Sequence, residues 1–476
     1  MASKTTLNAK NLEALGAAHL AELLMDISEG NANAKRRLRL ELAGSESPDK
    51  LASEIRKRLA AIGASAVNIG ARTLKGFRGD LNTQRRLIVE LVAKAAPQDA
   101  ADLMWTFIAL GDSVIERSAD VSGGVVEIFR DAAQGLAALL AGAKLSPDAW
   151  LAQLVATQLA NSYGQNDALV GLLAPLLDHA MLDRLKTGLV EAAREPVIAP
   201  GSRPRPTKRW RKRAIAAADS LRRRSRAESV RIALLAIADA QGDVEAYIAL
   251  MADAYLPTTA AQIAGRLLKA GRAQDALKAL DGARTNPRFP TPAEWVEARI
   301  ATLEALNRKD DAQAMRLDRF HQTLSAEYLR AYIKRLPDFD DIEAEDAELD
   351  WAKGFPDANA ALDLLVRWPA LERAADHVAR RVMEMDGNKS DMLTFAADRL
   401  SSRYPLAAMR LHRQIVEASL NASHAQAHAS AAIAYLEAES LARHVDDLGE
   451  DQSHEAWLKK LSLAFSHRTA FWKALR

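Results

Sequence analysis

The chain has 476 residues, 49% hydrophobic and 26% charged, with a formal net charge of +2 and no cysteine. That composition excludes disulfides, a thiol nucleophile and a cysteine-based zinc site, and no run of about 18 apolar residues is available to cross a membrane. Glycine (23) and proline (16) are scarce, which favours helix nearly throughout.

The N-terminus, Met1 to Leu7, lacks the charged-then-apolar pattern of a secretory signal, so cytoplasm is the expected compartment. Residues 8–62 read as three helices. Leu12, Leu15, Leu20, Leu23 and Leu24 form an apolar stripe, a basic amphipathic piece runs from Lys35 to Leu42, and Ser47-Pro48-Asp49 combines an N-cap, an N1 proline and a first-turn acid. The glycine-dotted stretch from Gly63 to Gly79 reads as a loop. Helices are expected at 81–95, 97–117, 124–142, 147–161, 165–177 and 178–194, and no stretch alternates as a strand would.

Pro196, Pro200, Pro204 and Pro206 cannot sit in a helix interior, so 195–208 is expected to link an N-terminal helical-repeat half (1–194) to a C-terminal one (209–476). Eleven Lys/Arg against one acid, Asp219, lie between Arg203 and Arg226. This island carries +10 and leaves −8 for the rest of the chain. Lys208, Arg209, Trp210, Arg211, Arg222, Arg223 and Arg224 could neutralise phosphates, with Trp210 stacking on a base. The same residues could instead form a solvated face or dock on an acidic partner.

The stretch 258–321 carries the clearest pattern. Ala264, Leu267, Gly271, Asp275 and Ala276 are matched 36 positions later by Ile300, Leu303, Asn307, Asp311 and Ala312. Gly271 and Asn307 both suit a left-handed helix C-terminus, and a helical period near this length signals a tetratricopeptide-type (TPR-like) solenoid. The first helices of two such hairpins would present Gln262, Arg266, Lys269, Glu294, Glu297 and Arg299 to a peptide groove.

Eight acids between Asp338 and Asp350 follow, read as a solvated helix face, since the centre lacks the glycine of a calcium loop. The acids also offer a place for the basic island to dock. Helices are expected at 357–367, 369–386, 389–401, 404–420, 423–447 and 453–475, the last anchored by Phe471 and Trp472. His424 and His428 lie four apart, but Ala425 stands where a zinc-protease glutamate would be needed, so no metal is assigned. No phosphate loop, nucleophile elbow or cofactor motif occurs, and no residue is assigned to catalysis.

The blocks Ser325 to Asp341, Leu365 to Leu371, Ala34 to Gly44, Tyr163-Gly164-Gln165 and Phe471-Trp472 together resemble an uncharacterised family of bacterial proteins. The resemblance covers most of the chain and implies a bacterial helical-repeat protein. The C-terminal half also resembles the repeat region that follows SWIM zinc fingers, but without cysteine the zinc module itself is missing.

Sequence therefore predicts an all-α protein, an irregular α-solenoid of antiparallel helical hairpins. Its expected role is a non-enzymatic scaffold or adaptor that binds another protein, without cofactor and without membrane insertion. Nucleic-acid association through 203–226 is the first alternative, and an enzyme of unknown type the second.

Overall fold

The computed structural model describes residues 7–30, 32–194, 226–286, 288, 290–422, 425–449 and 451–475. Among them the chain is all-helical, and the one extended pairing is an isolated parallel bridge between Ile69 and Ser118. None of these helices is long and apolar enough to cross a membrane. Two compact units are present, Met1–Asp253 and Ala254–Arg476.

The first unit starts with four helices, Ala9–Glu13, Ala17–Ser28, Ala32–Glu46 and Pro48–Ala64, where the sequence suggests three. Pro48–Ala64 starts as expected: the Ser47 hydroxyl accepts from the Lys50 N–H at 3.1 Å. Its buried stripe is Leu51, Ile55, Leu59 and Ile62.

The loop expected across Gly63–Gly79 is half a helix instead. Ala71–Leu87 runs straight through Gly76 and Gly79. Each interior glycine costs about 1 kcal/mol relative to alanine. Burial of Leu81, Gln84 and Leu87, together with the ion pairs of Asp80, offsets that cost. The helix continues into a π turn, Ile88–Val92, and a last short turn, Ala93–Ala95. Pro97–Ala109 then packs on Gly124–Ala143, with the Phe107 and Phe129 rings 5.2 Å apart in the core.

Residues 195–225 lie outside the described residues. The helix over 226–241 packs back onto the first unit. Arg226 Nη2 donates to the Ala192 carbonyl at 2.6 Å, Gln158 Nε2 to the Ser229 carbonyl at 3.0 Å and Gln241 Nε2 to Asp183 Oδ1 at 2.9 Å. The compact units accordingly divide at Asp253–Ala254, downstream of the proline-rich segment.

In the second unit, Pro257–Lys269 packs on Ala273–Asp281 and Ala293–Ala305 on Lys309–Thr323. The helices Pro257–Lys269 and Ala293–Ala305 also pack on each other. Both hairpins close with the same turn. The Arg272 and Arg308 N–H groups reach back to Leu267 and Leu303 carbonyls at 2.8 Å each, and the N–H groups of Gly271 and Asn307 to Leu268 and Glu304 at 2.9 Å each. This is a Schellman motif, and it requires positive φ at Gly271 (74°) and Asn307 (57°). Arg272 and Arg308 then pair with Asp275 and Asp311. Five residues past each turn, Ala276 and Ala312 are fully buried.

Further pairs follow: Ala326–Ile333 with Asp340–Ala352, Ala358–Arg367 with Leu371–Arg381, and Ser390–Leu400 with Pro405–Asn421. Ala374 and Ala408 are buried on the second helix of the last two pairs, as Ala276 and Ala312 are in theirs. The expected terminal helix 453–475 is two, His454–Ala464 and Thr469–Ala474. The break lets Phe471 turn inward edge-on to Tyr435 of the helix Ala425–Ala442, at 6.1 Å.

Gly271→Val should destabilise the second unit by roughly 1–2 kcal/mol, the penalty for a β-carbon in the left-handed region. Asn307→Gly should be close to neutral. Urea unfolding followed by circular dichroism measures both.

Candidate binding surfaces

The residues expected to form a peptide groove fall on two neighbouring helices. Gln262 and Lys269 are exposed on Pro257–Lys269, with Arg266 half-buried between them and donating through Nη1 to the Gln262 carbonyl at 3.2 Å. Glu294 and Glu297 are exposed on Ala293–Ala305. Arg299 is more committed: it pairs with Asp281 of the preceding hairpin and stacks 5.2 Å from the Trp295 ring. Trp295 Nε1 donates to the Leu280 carbonyl at 3.3 Å, so this pair helps to join one hairpin to the next.

Glu297 leads to a cluster that sequence inspection missed. The Tyr328 hydroxyl donates to Glu297 Oε1 at 3.5 Å. Burial, then the Glu297 carboxylate, pushes the Tyr328 hydroxyl above its ordinary pKa, while Arg319 pulls the other way. Arg319 is only 8% exposed, and its Nε and Nη1 have no protein partner. Beside it, buried Arg316 pairs with Glu304, which also accepts from Arg335 Nε at 3.0 Å. These partners come from three consecutive helices and the turn after the third, and only packing brings them together.

Four of the eight acids in the run pair with side chains of their own unit. Arg373 donates to Asp346 (2.8 Å) and Asp350 (3.2 Å), and Trp368 Nε1 donates to Glu345 at 2.9 Å. His321 meets Glu348 at 2.6 Å and stacks 4.0 Å from the Trp351 ring. Asp350 is held below the usual carboxylate range by Lys353 and Arg373. The helix thus cross-links its unit through these four acids, while Asp338, Asp340 and Glu343 stay exposed, as on the solvated face expected. Lys208, Arg209, Trp210, Arg211, Arg222, Arg223 and Arg224, the proposed partners in a basic island, lie outside the described residues.

Two histidines, His377 and His412, are buried, and a third, His454, is half-buried. His377 Nε2 meets the Ala358 carbonyl at 2.9 Å, and His454 Nε2 meets the Tyr435 hydroxyl at 3.2 Å. His412 is 3% exposed, and its Nδ1 lacks a protein partner, like the Nδ1 atoms of the other two. Burial lowers the pKa of all three. No group of three metal-binding side chains occurs among the described residues; His424 and the His428 side chain are not among them.

The block Tyr163-Gly164-Gln165 closes a helix. Asn166 Nδ2 donates to the carbonyls of Thr157 (3.2 Å) and Ala160 (3.3 Å), ending Leu151–Leu159. Gln165 Nε2 and the Ser162 hydroxyl both donate to Asp112, at 2.7 and 2.8 Å. Gly164 supplies a positive φ of 71°. This buried polar network satisfies helix-end carbonyls, which accounts for the block without invoking chemistry.

A cationic cleft lies between Ala32–Glu46 and Pro48–Ala64. It encloses about 410 Å3, and its walls carry Lys35, Arg36, Arg39, Lys57 and Arg58 beside Glu54. A second pocket of about 530 Å3 shares Arg39, Glu54 and Lys57 with the first and adds Lys50. Beneath it, Asp80 is almost wholly buried and its Oδ2 accepts from Arg36 Nη1 at 3.1 Å and Arg58 Nη2 at 2.5 Å. One carboxylate thus fixes two guanidiniums side by side.

These elements span nearly the whole chain, and so does the match that places it among known sequences. Residues 2–474 match a family described as a family of unknown function, DUF6880. The chain belongs to this family. No curated protein matches it at a comparable level. The family's description brings no activity with it.

Asp80→Asn should cost about 1–3 kcal/mol, because two partly buried guanidiniums lose their counter-ion; full burial of the pair would make the cost larger. Chemical denaturation of the variant measures the loss. The histidines set a pH dependence. Their folded pKa values lie below the reference value of 6.5, so the unfolded chain takes up protons first. Stability is then full above about pH 6.5 and falls as the pH drops below it. His412→Leu should flatten the decline in Tm between about pH 7 and pH 5, and an unchanged slope would exclude His412 as a contributor.

Proposed function

We propose that the chain is a non-enzymatic scaffold that binds another protein through the exposed first-helix faces of its second unit, the hairpins forming an irregular, TPR-like α-solenoid. The observation that carries this reading is the recurrence of one construction, a left-handed turn followed by a fully buried alanine five residues on, at Gly271/Ala276 and Asn307/Ala312. Hairpins built alike and packed in succession leave their first helices as neighbouring surfaces, the arrangement by which repeat proteins generate extended binding faces. Gln262, Lys269, Glu294 and Glu297 are the exposed side chains there. They carry mixed charge, which suits a peptide or protein surface of mixed charge. No catalytic role is assigned to Tyr328, Glu297 and Arg319, whose pairing is explained by helix cross-linking.

The test is recovery of tagged full-length protein from its native cells with nuclease present. A stoichiometric protein partner should survive, and the double variant Lys269→Glu, Glu294→Lys should weaken its capture by about tenfold or more, as expected when charges at a contact are reversed. Capture that vanishes with nuclease, or that the double variant leaves intact, would reject this reading.

A further inference from the structure

We propose that the cationic cleft between Ala32–Glu46 and Pro48–Ala64 binds a chain of phosphates. The cleft brings together five cations, Lys35, Arg36, Arg39, Lys57 and Arg58, from two helices. Against them stand Glu54, which pairs with Lys57 at 2.7 Å, and Asp80, which pairs with Arg36 and Arg58, leaving a net charge of +3. Such a concentration of like charge on packed helices is destabilising on its own account, and a bound polyanion relieves it. The floor is also preorganised. Asp80 already holds Arg36 and Arg58 in place, so little side-chain entropy remains to be lost when an anion meets them.

Size and lining indicate the kind of anion. The cleft and the pocket beside it enclose about 410 and 530 Å3, more than a single phosphate fills. The two pockets share a wall, which makes one extended track. The apolar lining consists of Leu40, Leu42, Ala43 and Ala61, with no aromatic ring on which a base could stack. Recognition therefore falls on consecutive phosphates, whether of linear polyphosphate or of a nucleic-acid backbone. The inference stands apart from the scaffold reading, which concerns the other unit.

Fluorescence anisotropy on the full chain distinguishes the sources, using labelled linear polyphosphate and a labelled random-sequence DNA duplex at about 0.05 and 0.2 M salt, the range over which phosphate contacts weaken most visibly. Binding of either probe should be lost at least about tenfold in the variant Lys35→Glu, Arg39→Glu, Lys57→Glu, with a salt slope flatter by roughly 2–3. Arg36 and Arg58 are left untouched, so Asp80 keeps its partners. Should the triple variant fail to fold, Lys35→Glu alone, an exposed change, should still weaken binding severalfold. Preference for one probe identifies the source. The proposal is overturned if neither probe binds, or if only phosphatidylserine vesicles do. It is also overturned if binding is lost when Lys208, Arg209, Arg211, Arg222, Arg223 and Arg224 become alanine while the cleft variant keeps it.

Discussion

The second unit depends on how closely two helices approach just after a turn. A residue with positive φ lets the backbone satisfy two helix-end carbonyls and reverse direction within three residues. The chain then delivers a methyl side chain to the crossing point, where a larger one would force the helices apart. Ala276 and Ala312 are buried five residues past that turn in successive hairpins, and Ala374 and Ala408 are buried on the second helix of later ones. Arg272–Asp275 and Arg308–Asp311 brace the turns, and Arg299–Asp281 and Trp295 tie one hairpin to the next.

The first unit solves its packing differently. Its distinctive feature is polar groups drawn into networks at and below the surface, around Asp80 at one place and around Asp112, Gln165 and Asn166 at another. Such networks are costly when incomplete and specify one arrangement when complete. The Asp80 network holds its own cations at the edge of a cleft, so the structural ion pair and the exposed positive field share the same atoms. Stability and any affinity for anions are coupled there through one carboxylate.

Local chemistry was legible in the sequence wherever one short segment decided the outcome. The cap at Ser47, the left-handed positions Gly271 and Asn307, and the inward Phe471 could each be read from a few adjacent residues. What was hidden depends on partners far along the chain. Gly63–Gly79 reads as a loop because glycine opposes helix locally, but Asp80 is paired by Arg36 and Arg58, which no local window contains. Tyr328 and Glu297 are 31 positions apart and meet only through packing. The cationic cleft was half visible, as the run from Lys35 to Arg39. Its other wall, Lys57 and Arg58, looks like an ordinary helix surface until the two helices are laid together.

The π turn at Ile88–Val92 bears on how one helix keeps a single buried face. A π turn holds one more residue than an α turn between the same two faces. Leu81, Gln84 and Ile88 on one side and Val92 on the other all stay buried across it. The extra residue is thus taken up inside the helix without exposing the buried stripe on either side of it.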